Sequence, residues 1–123
     1  MSDVYCEIFV NWENPDEQLA QFIAQACGGL VCSQPPSTYA VETAEANISI
    51  QPGPYFRGSR YFEGKDAFLR YPRLLEIHAR TDVQRSDFVN RIAGLLRSFW
   101  SRGVSAVATS DFESSLRMEA LID

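Results

Sequence analysis

Apolar side chains along this chain switch twice from a spacing of two residues to the spacing of three and four that is typical of a helix. Residues 4–12 (VYCEIFVNW) alternate, and alternation with β-branched residues predicts a strand. Both sides of this strand carry large groups, so we expect it to lie in the centre of a sheet. The residues that follow have helical spacing, with one apolar stripe formed by Leu19, Phe22, Ile23, Ala26 and Cys27.

The ends of the first helix are marked by residues with known terminal preferences. Asn14 can cap the helix, and Pro15 suits its first position. The Gly-Gly pair at 28–29 is expected to end it, because glycine adopts the left-handed conformation found after a helix. Residues 30–37, which contain two adjacent prolines, are predicted to form a loop.

The second half of the chain repeats the succession of strand and helix. The expected elements are an extended segment over 38–50, a long connection over 55–67, a strand over about 68–80, a helix over 81–102, a strand over 104–111 and a short helical turn over 112–123. Thr81 or Asp82 can cap the second helix, with Ser86 as a later alternative. Gly94 lies in its middle at a cost of about 1 kcal/mol, so we expect it to mark close packing on the sheet.

This order of elements predicts an α+β fold. Right-handed crossovers place both helices on one side of an antiparallel sheet. We therefore predict a ferredoxin-like β-α-β-β-α-β open-faced sandwich with strand order 4-1-3-2. The 123 residues fit a single domain, 1–123.

The charge distribution restricts the partners that this chain can bind. No Lys or Arg precedes Arg57, yet seven acidic residues do, and the formal net charge is -5. A nucleic-acid-binding protein needs the opposite balance to neutralise phosphates, so we predict no nucleic-acid ligand. We expect the acidic region to favour a basic protein partner. The alternative is that its acidity only keeps the protein in solution.

No membrane association is expected. No apolar run approaches the ~20 residues that a membrane-spanning helix needs. The N-terminal sequence lacks the basic start of a signal peptide and begins directly with a strand pattern. We therefore expect a cytoplasmic location.

We predict no cofactor, no metal and no disulfide. The three cysteines show no C-x-x-C spacing, and Cys6 and Cys27 have the positions of small core residues. The chain lacks the glycine-rich, phosphate-binding and hydrolase motifs, and its single histidine cannot build a multi-histidine metal site.

One side of the predicted sheet, which we call the open face, is left uncovered by the helices. Strand alternation places on it the candidate binding residues Tyr5, Glu7, Phe9, Asn11, Glu76, His78, Arg80, Thr109 and Asp111. The same alternation adds Glu45, Asn47, Ser49 and Gln51 from the second strand. In the order 4-1-3-2 the first and third strands are neighbours, so Glu7, Glu76 and His78 are expected to lie together.

The sequence alone allows several functions for the open face. It can be a solvated surface with cross-strand ion pairs, a surface for a protein partner, or the interface of a homodimer that encloses a small ligand. A small enzyme is a further alternative, in which His78 is the acid or base because it titrates near neutrality, Glu7 or Glu76 is its partner, and Glu7 could orient its ring. Cys6 and His78 are expected on opposite faces, which argues against a Cys-His nucleophilic pair.

The C-terminal residues 103–116 read GVSAVATSDFESSL. A strand of small residues followed by D-F-E-x-x-L, after an amphipathic helix and a glycine, resembles small bacterial immunity-like proteins of polymorphic toxin systems. The resemblance implies an intracellular, non-catalytic protein that blocks a toxin domain by covering its active site. Many such toxins are nucleases with basic clefts, which would suit an acidic partner. It transfers no functional residue to this chain.

Overall fold

The computed structural model describes residues 5–34, 38–53 and 71–109. Within these residues the chain forms two helices, α1 (Asp16–Cys27) and α2 (Arg85–Ser101). The same residues form six strands, which are β1 (Tyr5–Val10), β2 (Leu30–Gln34), β3 (Thr38–Glu42), β4 (Ala46–Pro52), β5 (Arg73–Ala79) and β6 (Ala106–Thr109).

The six strands form one antiparallel sheet in the order β2-β3-β4-β5-β1-β6. The predicted class, an α+β open sandwich of an antiparallel sheet and two helices, is confirmed. The four-stranded ferredoxin-like order is not, because three strands rather than one follow α1 before β5. β1 lies between β5 and β6, so it is a central strand as predicted.

The segment from 30 to 50 differs most from the sequence prediction. Residues 30–34, predicted as a loop, form β2 by pairing with β3. The extended segment expected over 38–50 is two strands, β3 and β4, separated by a turn. The Thr43 hydroxyl accepts the backbone N–H groups of Glu45 at 3.2 Å and Ala46 at 2.9 Å, and this local bonding closes the turn without glycine or proline.

α1 begins one residue later than predicted, and α2 begins between its predicted caps, after Asp82 and before the alternative Ser86. α1 starts after Pro15, and α2 starts after Gln84, with no capping hydrogen bond from the side chain of either residue. α1 ends at Gly28, whose φ of 66° is the left-handed conformation expected there. A Cβ atom on Gly29 would lie 2.6 Å from the carbonyl oxygen of Glu42, so this position requires glycine for a different reason, the close approach of β3.

The hydrophobic core lies between the helices and one face of the sheet. Side chains of both helices belong to one cluster with alternate residues of the strands, so both helices cover the same face. Its largest fully buried members include Phe88, Phe99, Ile8, Leu19, Ile23, Ile48, Leu75 and Ile77. Cys6 and Cys27 are buried in this cluster, as expected for small core residues.

Several predictions concern residues outside the described part of the chain. These are the connection over 55–67, the start of the third predicted strand at 68–70, the C-terminal turn over 112–123 and the second half, 110–116, of the segment that resembles immunity-like proteins. Neither described helix combines the length and the apolar content that crossing a lipid bilayer requires.

Candidate functional site

The open face is presented by alternate residues of the strands, opposite to the helices. Since neighbouring side chains along a strand point to opposite faces, the burial of Cys6, Ile8, Leu75 and Ile77 under the helices places the intervening residues on the open face. Three rows of paired residues cross this face: Asn47–His78–Tyr5, Ser49–Glu76–Glu7–Thr109 and Gln51–Leu74–Phe9–Val107.

Two carboxylates occupy directly opposed positions at the centre of this face. Glu7 of β1 is the register partner of Glu76 of β5. The Tyr5 hydroxyl lies between them, 2.9 Å from Glu7 Oε2 and 3.2 Å from Glu76 Oε2. A tyrosine hydroxyl has one hydrogen, so it donates to one carboxylate at a time. Like charges at opposed positions destabilise a sheet, and the hydroxyl offsets part of that repulsion.

Two further side chains complete this group, which we call the Tyr5 cluster: Tyr5, Glu7, Glu76, Gln51 and His78. Gln51 of β4 donates through Nε2 to Glu76 Oε1, so each oxygen of this carboxylate has a partner. The imidazole of His78 lies against the Tyr5 ring with centroids 4.7 Å apart and planes inclined by 44°. The cluster thus joins three adjacent strands through their side chains.

The surroundings of the Tyr5 phenol keep it protonated. Burial is the largest cause that raises the pKa of Tyr5 well above its usual range, followed by the hydrogen bond to Glu7 and the negative charges of Glu7 and Glu76. The Tyr5 hydroxyl is therefore a hydrogen-bond donor throughout the physiological pH range.

Part of the open face is apolar and buried, contrary to the expectation of an uncovered surface. Phe9 is only 5% exposed and Leu74 only 7%, although neither belongs to the core cluster under the helices. Phe9 of β1 and Leu74 of β5 are register partners, and they form the next pair on this face after Glu7 and Glu76. Phe9, predicted as an accessible binding residue, is instead a packed side chain that borders the Tyr5 cluster.

The other residues predicted for the open face lie partly on this face and partly beyond the ends of its strands. Glu7, Glu76 and His78 lie together on the open face, with His78 exposed and the glutamates half-buried. Asn11 and Arg80 are exposed just beyond the ends of their strands, and Thr109 pairs with Glu7 at the far side of β1. Asp111 lies outside the described residues.

Glu45 does not lie on the open face, contrary to the prediction from alternation. It lies in the turn before β4, where its carboxylate binds Arg91 of α2. The turn interrupts the alternation that was counted from β4, and for this reason the side chain reaches the helices.

The geometry does not favour acid-base chemistry by His78. Among the described side chains, no hydrogen bond or ion pair joins its imidazole to Glu7 or Glu76; the glutamates bind Tyr5 instead. A histidine that acts as general base needs an orienting partner and a hydrogen-bonded path to the reacting group. The ring contact with Tyr5 supplies a surface for packing and no such path.

Two clefts adjoin each other at the end of the sheet where β4 begins and β5 ends. One, of about 510 Å³, lies beside the start of α2 and is lined by Glu45, Asp82, Asp87, Asn90 and Arg91 among others. The second, of about 670 Å³, includes Asn47, Arg80 and Thr81. Glu45 and Arg91, which both line the first cleft, already form an ion pair with each other. The first cleft therefore offers no free pair of opposite charges to a ligand.

Within residues 5–34, 38–53 and 71–109, no three His, Cys, Asp or Glu side chains meet in a way that could hold a metal ion. No protein-family model matches the sequence. A comparison with functionally characterised proteins also found no match. The interpretation of the site therefore depends on its own geometry.

Proposed function

We propose that this protein is a non-catalytic binding module whose open face, centred on the Tyr5 cluster, binds a basic protein partner in the manner of an immunity-like inhibitor. The observation that carries the proposal is the pair of opposed carboxylates, Glu7 and Glu76, held side by side by the Tyr5 hydroxyl on the face that the helices leave uncovered. A basic side chain of a partner would find two accepting carboxylates beside an aromatic ring.

The charges of the described sheet support a basic partner. The positions of the open face within the six strands include three glutamates, Glu7, Glu42 and Glu76, and neither Lys nor Arg among the residues that the structure describes. Arg80 follows the end of β5, at the margin of this surface. Complementary charge accelerates encounter and selects the partner more than it adds affinity.

The composition of the surface also supports binding. Tyr5 and His78 provide ring surface beside the carboxylates. Aromatic side chains are enriched at protein interfaces because they contribute a large contact area with few rotatable bonds. Because the rings and carboxylates are already held by each other, little side-chain freedom remains to be lost on binding.

The experiment compares the wild-type protein with the double variant Glu7→Gln/Glu76→Gln in a pull-down at low and high salt. The product of the neighbouring gene is the first partner to test, because the resemblance to immunity-like proteins implies an adjacent toxin. We expect the wild type to retain this partner at low salt and to release most of it at high salt, since exposed charges are screened.

The matched control is Glu17→Gln, which removes an exposed carboxylate from the first turn of α1, on the other side of the sheet. This variant should bind like the wild type, whereas the double variant should lose binding at both salt concentrations. Equal binding by the double variant and the wild type would refute the proposed role of the open face.

A further inference from the structure

The strand β2 lies at one end of the described sheet. Within the described residues β3 is its only strand partner, so one side of β2 presents backbone N–H and C=O groups outward. Its sequence, LVCSQ, carries no charge. Natural monomers protect such edges with charged residues, prolines or bulges inside the strand. The strand β2 contains neither a charged residue nor a proline.

We propose that two copies of this chain pair through β2 in antiparallel fashion, which joins their sheets into one continuous sheet of twelve described strands. This interface is distinct from the open face, so the proposal does not depend on the proposed function. A second copy fits the edge because the strand has no charge to repel itself across a two-fold axis, and because the same strand supplies both donors and acceptors.

Two exposed apolar residues lie on this strand. Leu30 is 73% exposed and Val31 is 40% exposed, and with Trp100 they are the exposed large hydrophobic residues of the described chain. Adjacent residues of a strand point to opposite faces, so at this edge Leu30 lies on one face of the sheet and Val31 on the other. A strand paired along this edge would cover part of each.

The position of the two-fold axis follows from the length of the strand. Two prolines follow Gln34 in the sequence, and proline has no N–H to donate to a ladder, so pairing is confined to residues 30–34. Pairing over the full strand places its middle residue, Cys32, opposite Cys32 of the second copy. Opposed residues of an antiparallel pair have Cα atoms about 4.5 to 5.5 Å apart and point to the same face.

This register makes Cys32 a reporter of the dimer. The Cα spacing falls within the range of about 4.4 to 6.8 Å that a disulfide needs. Cys32 is half-exposed, whereas Cys6 and Cys27 are buried. Diamide, which is reduced as two thiols join, should therefore convert the native protein to a covalent dimer, and Cys32→Ser should abolish this product. Cross-linking that persists in Cys32→Ser would contradict the register.

The decisive test places a charged residue at position 32, on the proposed two-fold axis, and does not depend on disulfide formation. Five paired residues bury less area than a standard interface, so we expect a reversible dimer whose fraction rises with concentration. Sedimentation velocity over a concentration series should show this for the wild type. Cys32→Lys and Cys32→Glu should each sediment as monomers, since two like charges then oppose each other.

An equimolar mixture of Cys32→Lys and Cys32→Glu should recover the dimer, because lysine then faces glutamate. This recovery excludes misfolding as the reason for the loss, since only folded edges pair in register. A wild type that stays monomeric at the highest concentration, or single-charge variants that dimerise like the wild type, would overturn the proposal. Capture of a different protein along β2, with no self-association, would overturn it equally.

Discussion

Arg91 binds the carboxylate of Glu45 at two points. Arg91 Nε lies 2.9 Å from Glu45 Oε1, and Arg91 Nη2 lies 3.3 Å from Glu45 Oε2. The pair joins the turn between β3 and β4 to α2. Both side chains are partly shielded from solvent, and the fork geometry of the guanidinium fits a carboxylate better than a lysine would.

This ion pair predicts a pH-dependent contribution to stability. The hydrogen bond from Arg91 is the largest cause that holds the pKa of Glu45 below its usual range. A carboxylate with a lowered folded-state pKa stabilises the fold above its unfolded-state pKa, and this contribution disappears as the pH falls through the folded-state value. We expect Glu45→Gln to lower the free energy of unfolding by about 1 kcal/mol at neutral pH.

Urea unfolding at a series of pH values measures this effect. The difference between Glu45→Gln and the wild type should shrink toward zero in acid. Glu13→Gln, which changes an exposed carboxylate between β1 and α1, is the control and should follow the wild type. Parallel stability curves for Glu45→Gln and the wild type over the whole pH range would contradict the role of the pair.

The Tyr5 hydroxyl is expected to stabilise the sheet by separating two like charges. Tyr5→Phe keeps the ring against His78 but removes the donor between Glu7 and Glu76, so we expect a loss of about 1–2 kcal/mol in the free energy of unfolding. Adding Glu76→Gln to this variant should recover part of the loss, because the repulsion between the carboxylates is gone. A double-mutant cycle by chemical denaturation measures the coupling, and additive effects would contradict it.

The position of this pair of glutamates was predictable from the sequence, whereas their hydrogen bonds were not. Alternation over β1 and β5 is regular, and it placed Glu7, Glu76 and His78 on one face of adjacent strands. Which of them contact each other depends on rotamers. The hypothesis that Glu7 orients His78 was reasonable from spacing, but the Tyr5 side chain lies at the hydrogen-bonding position.

The two additional strands were missed for a physical reason. The LVCSQ segment is short, has no clear alternation and precedes two prolines, so nothing local distinguishes it from a loop. Its extended conformation comes from pairing with β3, which is a tertiary effect. The turn at Thr43 was also missed, because it is closed by a side-chain hydroxyl rather than by glycine or proline.

Two glycines are expected to respond oppositely to the same substitution. Sequence reasoning assigned Gly94 to close packing on the sheet, but a Cβ atom there would meet only the Arg97 side chain, at 4.0 Å. Gly94→Ala should therefore raise the free energy of unfolding by about 1 kcal/mol, since alanine favours a helix. Gly29→Ala should lower it, because the new Cβ atom would collide with the Glu42 carbonyl oxygen. Thermal or urea unfolding of both variants measures the contrast, and a destabilised Gly94→Ala would restore the packing interpretation.

The three thiols are expected to react at different rates in the native protein. Burial raises the pKa of the Cys27 thiol to about 11, an effect that the positive charge of Arg91 opposes and the negative charge of Glu45 reinforces. The reactive species is the thiolate, so Cys27 should react slowly with a disulfide reagent at neutral pH, and the buried Cys6 should be slow for lack of access. At protein concentrations too low for self-association, one thiol should react rapidly and all three after unfolding. Cys32→Ser should remove the rapid phase, whereas a rapid phase that survives this substitution would show that a core thiol is accessible in the folded chain.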